Sequence, residues 1–95
     1  MFNFKPGAYT VSGFYDVNGQ PVEDLDPINM SDEGIKGYVR SELTRIGARG
    51  VRIDRPTNAI ANSRFEYEFT IGGDRHLVVF DVVPYGGTYP VKLSA

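Results

Sequence analysis

The most constraining feature of the sequence is the stretch RFEYEFTI, in which Phe65, Tyr67, Phe69 and Ile71 alternate with Arg64, Glu66, Glu68 and Thr70. After Gly72-Gly73-Asp74 the apolar run HLVVFDVV follows. Strict alternation marks a strand, because successive side chains point to opposite faces of a pleated chain. A two-residue loop at Gly73-Asp74 predicts a hairpin in which Ile71 faces His76, Phe69 faces Val78, Tyr67 faces Phe80 and Phe65 faces Val82. On the reverse face, Thr70 then meets Leu77, Glu68 meets Val79 and Glu66 meets Asp81. The second strand is apolar on both faces and is expected at the centre of a sheet.

A second hairpin is predicted at the start of the chain. AYTVSGFYDV, Ala8 to Val17, places Tyr9, Val11, Tyr15 and Val17 on one side and Thr10, Ser12 and Asp16 on the other, with Phe14 breaking the polar side. Asn18-Gly19 follows, the pair best suited to a type I′ turn. The partner strand is expected to run only from Gln20 to about Glu23, at an edge, because Pro21 cannot donate to a ladder. Glu23 to Asn29 reads as an acidic loop.

One helix is predicted to begin near Ser31, a good N-cap, with Asp32 and Glu33 in the first turn where the helix dipole favours anions. Ile35, Tyr38, Val39, Leu43 and Ile46 recur at spacings of 3, 1, 4 and 3 and so form one apolar stripe. Gly34 and Gly37 weaken the first turns by about 1 kcal/mol each relative to alanine, so packing must hold them. Gly47 or Gly50 supplies the stop. Val51 to Asp54 reads as a short strand, Arg55 to Ser63 as a loop, and Thr88 to Leu93 as a last edge strand after the turn Pro84-Tyr85-Gly86-Gly87. The expected fold is α+β in a single domain spanning 1–95. A single amphipathic helix packs on one face of a mostly antiparallel sheet of four to six strands, in the order β-β-α-β-β-β-β.

Composition narrows the chemistry. None of the 95 residues is cysteine, which removes disulfides, thiolate nucleophiles and cysteine metal sites. The N-terminus has no basic region leading into an apolar run, and no stretch approaches the roughly 20 apolar residues that span a bilayer. A cytoplasmic protein without membrane association is the expectation. The net charge of −2 is unevenly distributed. Up to Ile35, Asp16, Glu23, Asp24, Asp26, Asp32 and Glu33 face only Lys5. From Lys36 to Arg64, Lys36, Arg40, Arg45, Arg49, Arg52, Arg55 and Arg64 face only Glu42 and Asp54.

His76 is the only histidine, and neither a G-x-S-x-G elbow nor an H-E-x-x-H pair accompanies it. A structural role at a strand end is expected. A small hydrolase or metal-dependent enzyme around His76, Glu66 and Asp81 is the weakest of three functional readings, and no catalytic residue, metal ligand or cofactor is assigned. The glycine pairs are too short to cradle phosphate and read as turns.

The arginines and tyrosines say more. Arginine suits bidentate recognition of carboxylate or phosphate, and tyrosine is enriched in interface hot spots. Arg40, Arg45, Arg49, Arg52 and Arg55, with Tyr85 and Tyr89 beside a glycine turn, are the expected partner-binding residues. Helix-end dipole compensation and pairing with the chain's own acidic loop compete for the same arginines. The leading expectation is a small non-enzymatic protein-interaction domain, monomeric or homodimeric. By analogy of composition alone it fits the type of small phage-encoded inhibitor or adaptor. The alternative is nucleic-acid binding through the arginine-rich helix exit, which the lack of interleaved aromatics disfavours.

Overall fold

The computed structural model describes residues 4–60 and 63–85. The first hairpin forms as its turn dipeptide dictates: β1 (Ala8–Val17) and β2 (Gln20–Ser31) join through Asn18 and Gly19, both at positive φ, with Val17 opposite Gln20. β2 runs far beyond the short strand expected, and the acidic loop is in fact strand. Proline is tolerated there because β2 is the outermost strand, where half of its N–H groups need no partner. Its ladder to β1 is interrupted twice, between Val11 and Gly13 and between Tyr15 and Asp16. Asp26-Pro27 lies opposite the first interruption.

The helix α1 (Asp32–Ile46) starts and stops where its sequence signals stand. Ser31 occupies the N-cap position but makes no side-chain cap. Gly7 and Asp32 close the helix start instead. The Asp32 N–H donates to the Gly7 carbonyl and the Gly7 N–H donates to the Asp32 carboxylate, each at 2.9 Å. At the other end Gly47 adopts the left-handed conformation. Its N–H reaches the Thr44 carbonyl and that of Ala48 the Leu43 carbonyl, the Schellman arrangement that satisfies the last carbonyls.

VRID is not a strand. Val51 is half-buried and Ile53 buried, so its apolar residues do point inward, but within a loop that ties the helix end to β3 (Asn58–Ile60). That short strand lies in the stretch expected to be loop. β4 (Arg64–Ile71) and β5 (Asp74–Pro84) complete a five-stranded antiparallel sheet in the order β2-β1-β5-β4-β3, with β5 central as expected. The described order is therefore β-β-α-β-β-β. The strand expected over Thr88–Leu93 lies outside the described residues.

The β4–β5 register differs from expectation by two residues. Gly72 and Gly73 are the central turn residues, at φ 56° and 89°, so Ile71 pairs with Asp74 and Phe69 with His76. A turn centred on Gly73-Asp74 would have forced aspartate to positive φ, whereas two glycines reach it without a steric penalty. A shift of two preserves the faces, so the aromatic side of β4 still lies on the helix side. It does change the partners: Asp81 stands opposite Arg64, and Glu66 opposite Val79. The expected Glu66–Asp81 carboxylate pair does not exist.

The helix presses Ile35, Val39 and Leu43 onto Val11, Leu25, Phe65, Tyr67, Val78, Phe80 and Val82, all buried. Tyr38 meets Phe80 edge to face at 6.1 Å and Tyr67 meets Phe80 likewise at 6.0 Å. Among the described residues no helix is long and apolar enough to cross a membrane.

Candidate interaction surfaces

The arginines expected to bind a partner ride in the helix layer, and they separate into two groups. Arg45, in the last turn of α1, is committed to the chain's own acids. Its guanidinium donates to both oxygens of Glu23 on β2, at 3.2 and 3.0 Å, and to Glu42 at 3.1 and 2.6 Å. These hydrogen bonds raise its pKa, Glu42 contributing most. Arg52 stands 3.9 Å from Asp54, too far for a hydrogen bond. Arg40, Arg49 and Arg55 are exposed and have no ion pair among the described residues.

The loop that carries Arg49, Arg52 and Arg55 is held firmly. Ile53 plugs the core, and the Tyr67 hydroxyl donates to its carbonyl. Burial pushes the Tyr67 phenol well above its ordinary pKa, with the Asp54 charge adding to the effect. Farther on, the Thr57 N–H donates to the Glu66 carbonyl at 2.7 Å, and the Thr57 hydroxyl accepts from the Glu68 N–H at 2.9 Å.

Tyr85 does not join this group. It follows β5, its N–H donates to the Ala8 carbonyl, and strand alternation puts it on the sheet face turned away from the helix, 56% exposed. Tyr89 lies outside the described residues.

His76 is locked in place on the helix side. Its ring stacks on Phe69 at 5.3 Å and 8° and on Tyr15 at 5.8 Å and 18°, and Nδ1 shares a 2.7 Å hydrogen bond with the Tyr15 hydroxyl. Burial, and then Glu23, raises the Tyr15 pKa. Among the described residues no group of three or more His, Asp or Glu could hold a metal ion.

The surface that sequence reasoning misses is the helix-free face of the sheet. Alternation places Phe14 on β1 and Leu77, Val79 and Val83 on β5 there, together with Arg64, Glu66 and Glu68 of β4 and Asn58 and Ile60 of β3. Val79 is 0% exposed although no second layer packs on it among the described residues. Phe14 lies directly across from Val79, the Arg64 guanidinium sits 5.9 Å from the Phe14 ring centre, and Asp81 accepts from Arg64 at 2.7 and 3.1 Å. At the hairpin end of this face a cavity of about 510 Å³ opens between Asp16, Asn18, Glu68, Thr70, Arg75 and Leu77. Two signals in the sequence point here: Phe14 interrupting a polar side, and a β5 that is apolar on both faces.

Among the described residues the fold is a small α+β domain, one helix on a five-stranded antiparallel sheet. Comparison with protein-family models, with curated proteins and with solved structures gives no significant match.

Proposed function

We propose that the chain is a non-enzymatic protein-binding domain that presents the guanidinium groups of Arg40, Arg49 and Arg55, with Arg52 beside them, to an acidic protein surface. The observation that carries this reading is the contrast within one group of arginines. Arg45 is bound to Glu23 and Glu42, while Arg40, Arg49 and Arg55 have no carboxylate of their own among the described residues. The loop bearing two of those three is pinned by Ile53 and Tyr67, so the backbone that carries them is ordered before binding and only the side chains remain to be ordered. The His76 ring, stacked on Phe69 and hydrogen-bonded through Nδ1 to Tyr15, fits a structural histidine better than a proton shuttle. Inhibitor or adaptor is the finer form of this reading: a bound domain that covers a partner's working surface or links it to another.

The test uses two baits in affinity purification from the native host, the wild-type chain and the variant Arg40→Glu/Arg49→Glu/Arg55→Glu. A protein recovered by the first and lost by the second, with identical circular dichroism, supports the proposal. Equal recovery by both removes it. Nuclease treatment during capture separates the nucleic-acid alternative: binding through the same arginines to nucleic acid would vanish with nuclease and fall steeply with salt.

A further inference from the structure

We infer that the helix-free face of the sheet is a docking surface for a basic, amphipathic protein segment, one that pairs lysine or arginine side chains with an apolar stripe. The inference is independent of the arginine surface on the helix side.

Charge and apolarity coincide on this face. By alternation it carries the carboxylates of Asp16, Asp24, Glu66, Glu68 and Asp81 against the guanidiniums of Arg64 and Arg75. Arg64 is hydrogen-bonded to Asp81 and also feels the charge of Glu66, whose side-chain hydrogen bond among the described residues comes from the neutral Asn58 amide at 3.1 Å. Asp16 and Glu68 both stand opposite Leu77, one on each flanking strand, and neither has an ion pair among the described residues. The negative charge left over therefore brackets an apolar strip. Phe14, Leu77 and Val83 form its half-buried floor, and Ile60 and Tyr85, 53% and 56% exposed, stand at its far end.

The cavity fits the same partner. Its apolar floor at Leu77 suits the methylene stem of a lysine or arginine, and Asp16 and Glu68 on either side, two carboxylates against the single Arg75 guanidinium that also lines the cavity, suit the charged head. An anionic partner, nucleic acid included, would meet this face with like charge. Recognition by adding a strand at an edge is poorly supported: β2 carries Pro21, Pro27 and two register breaks, and β3 has three residues. The partner is therefore placed on the face of the sheet.

Amide NMR of the full chain, titrated with a synthetic amphipathic peptide of leucine and lysine, tests the inference, with a leucine–glutamate peptide of the same pattern as control. The lysine peptide is expected to bind, to weaken as salt is added, and to shift the amides of Phe14, Asp16, Glu68, Leu77 and Val83. Asp16→Lys/Glu68→Lys should weaken it roughly tenfold, and Arg40→Glu/Arg49→Glu/Arg55→Glu should not. No binding, equal binding of the glutamate peptide, or shifts confined to α1 would overturn the inference. So would contacts from residues 86–95 onto Phe14 or Leu77 in the free protein, or sedimentation showing that a second copy occupies the face.

Discussion

Gly13 lies so close to the Val79 carbonyl that a β-carbon added to it would stand 1.9 Å from the Val79 oxygen and 2.9 Å from its carbon. Both obstacles are backbone, so no side-chain rotation can relieve the clash. Gly13 sits where β1 meets the first interruption of the β2 ladder, and it is on the helix side opposite Phe80. Gly13→Ala should force β1 and β5 apart at the middle of the sheet and cost about 2–4 kcal/mol. Urea denaturation would register it as a lower midpoint. A loss below about 0.5 kcal/mol would contradict the close approach.

Tyr67 links the core to the loop that carries the arginines. Its ring is buried and its hydroxyl satisfies the Ile53 carbonyl. Tyr67→Phe keeps the packing but leaves that carbonyl unpaired, an expected cost of about 1–3 kcal/mol. The pH dependence has a definite sign. Because burial holds the folded phenol well above its unfolded value of 10.0, the folded state retains a proton that the unfolded state loses. The contribution is fully present below about pH 10 and declines as the pH rises beyond it. Tyr15 and Tyr38 are raised as well and act in the same direction. Stability measured through the alkaline range should fall more steeply in the wild type than in Tyr67→Phe; parallel curves would show that the buried phenol is not the cause.

Legibility follows locality. Asn18-Gly19, the stripe from Ile35 to Ile46 and the glycine stop are short-range signals; the first two appear in the structure where the sequence places them, and of the two stops the sequence offers, Gly47 and Gly50, the helix uses Gly47. The β4–β5 register is harder to read because Gly72-Gly73-Asp74 offers two turns, and only the need for positive φ at both centres selects Gly72-Gly73. The length of β2 is hidden for a different reason. Pro21 and Pro27 argue against a strand anywhere except an edge, and an edge is a property of the whole sheet. VRID illustrates a third limit, since the alternation of Val51 and Ile53 reports burial and not hydrogen bonding. The candidate surfaces are half legible. The excess of arginine is visible in the sequence, whereas the capture of Arg45 by Glu23 depends on β2 running beside α1.

His76 makes two separable contributions. Its ring stacks on Phe69, and Nδ1 partners the Tyr15 hydroxyl. His76→Phe keeps a ring in the stack and loses only the hydrogen bond, an expected cost of about 1 kcal/mol. His76→Ala loses both and should cost about 2–3 kcal/mol. Equal effects from the two variants in urea melts would mean that the stacking is not contributing.

Among the described residues no second layer covers Val79; Phe14 lies directly across from it, with Arg64 beside the Phe14 ring and bound to Asp81. A residue with 0% exposure on a helix-free face must be closed off by its neighbours, and the ring directly across the ladder is the largest of them. Phe14→Ala should therefore expose Val79 and cost about 2 kcal/mol, less than a fully buried phenylalanine because Phe14 is itself only half-buried. The ion pair is worth less. Its side chains are 39% and 33% exposed, so solvent screens it and the coupling should be about 0.5–1 kcal/mol even with two-point geometry. A double-mutant cycle on Arg64→Ala and Asp81→Ala measures that coupling. Repeating the cycle in a Phe14→Ala background tests whether the three act as one unit. If Arg64 is held in place by Asp81 in order to cover Phe14, the coupling should shrink when the ring is removed. An unchanged coupling would mean that the pair is an ordinary surface bridge and that Phe14 alone seals Val79.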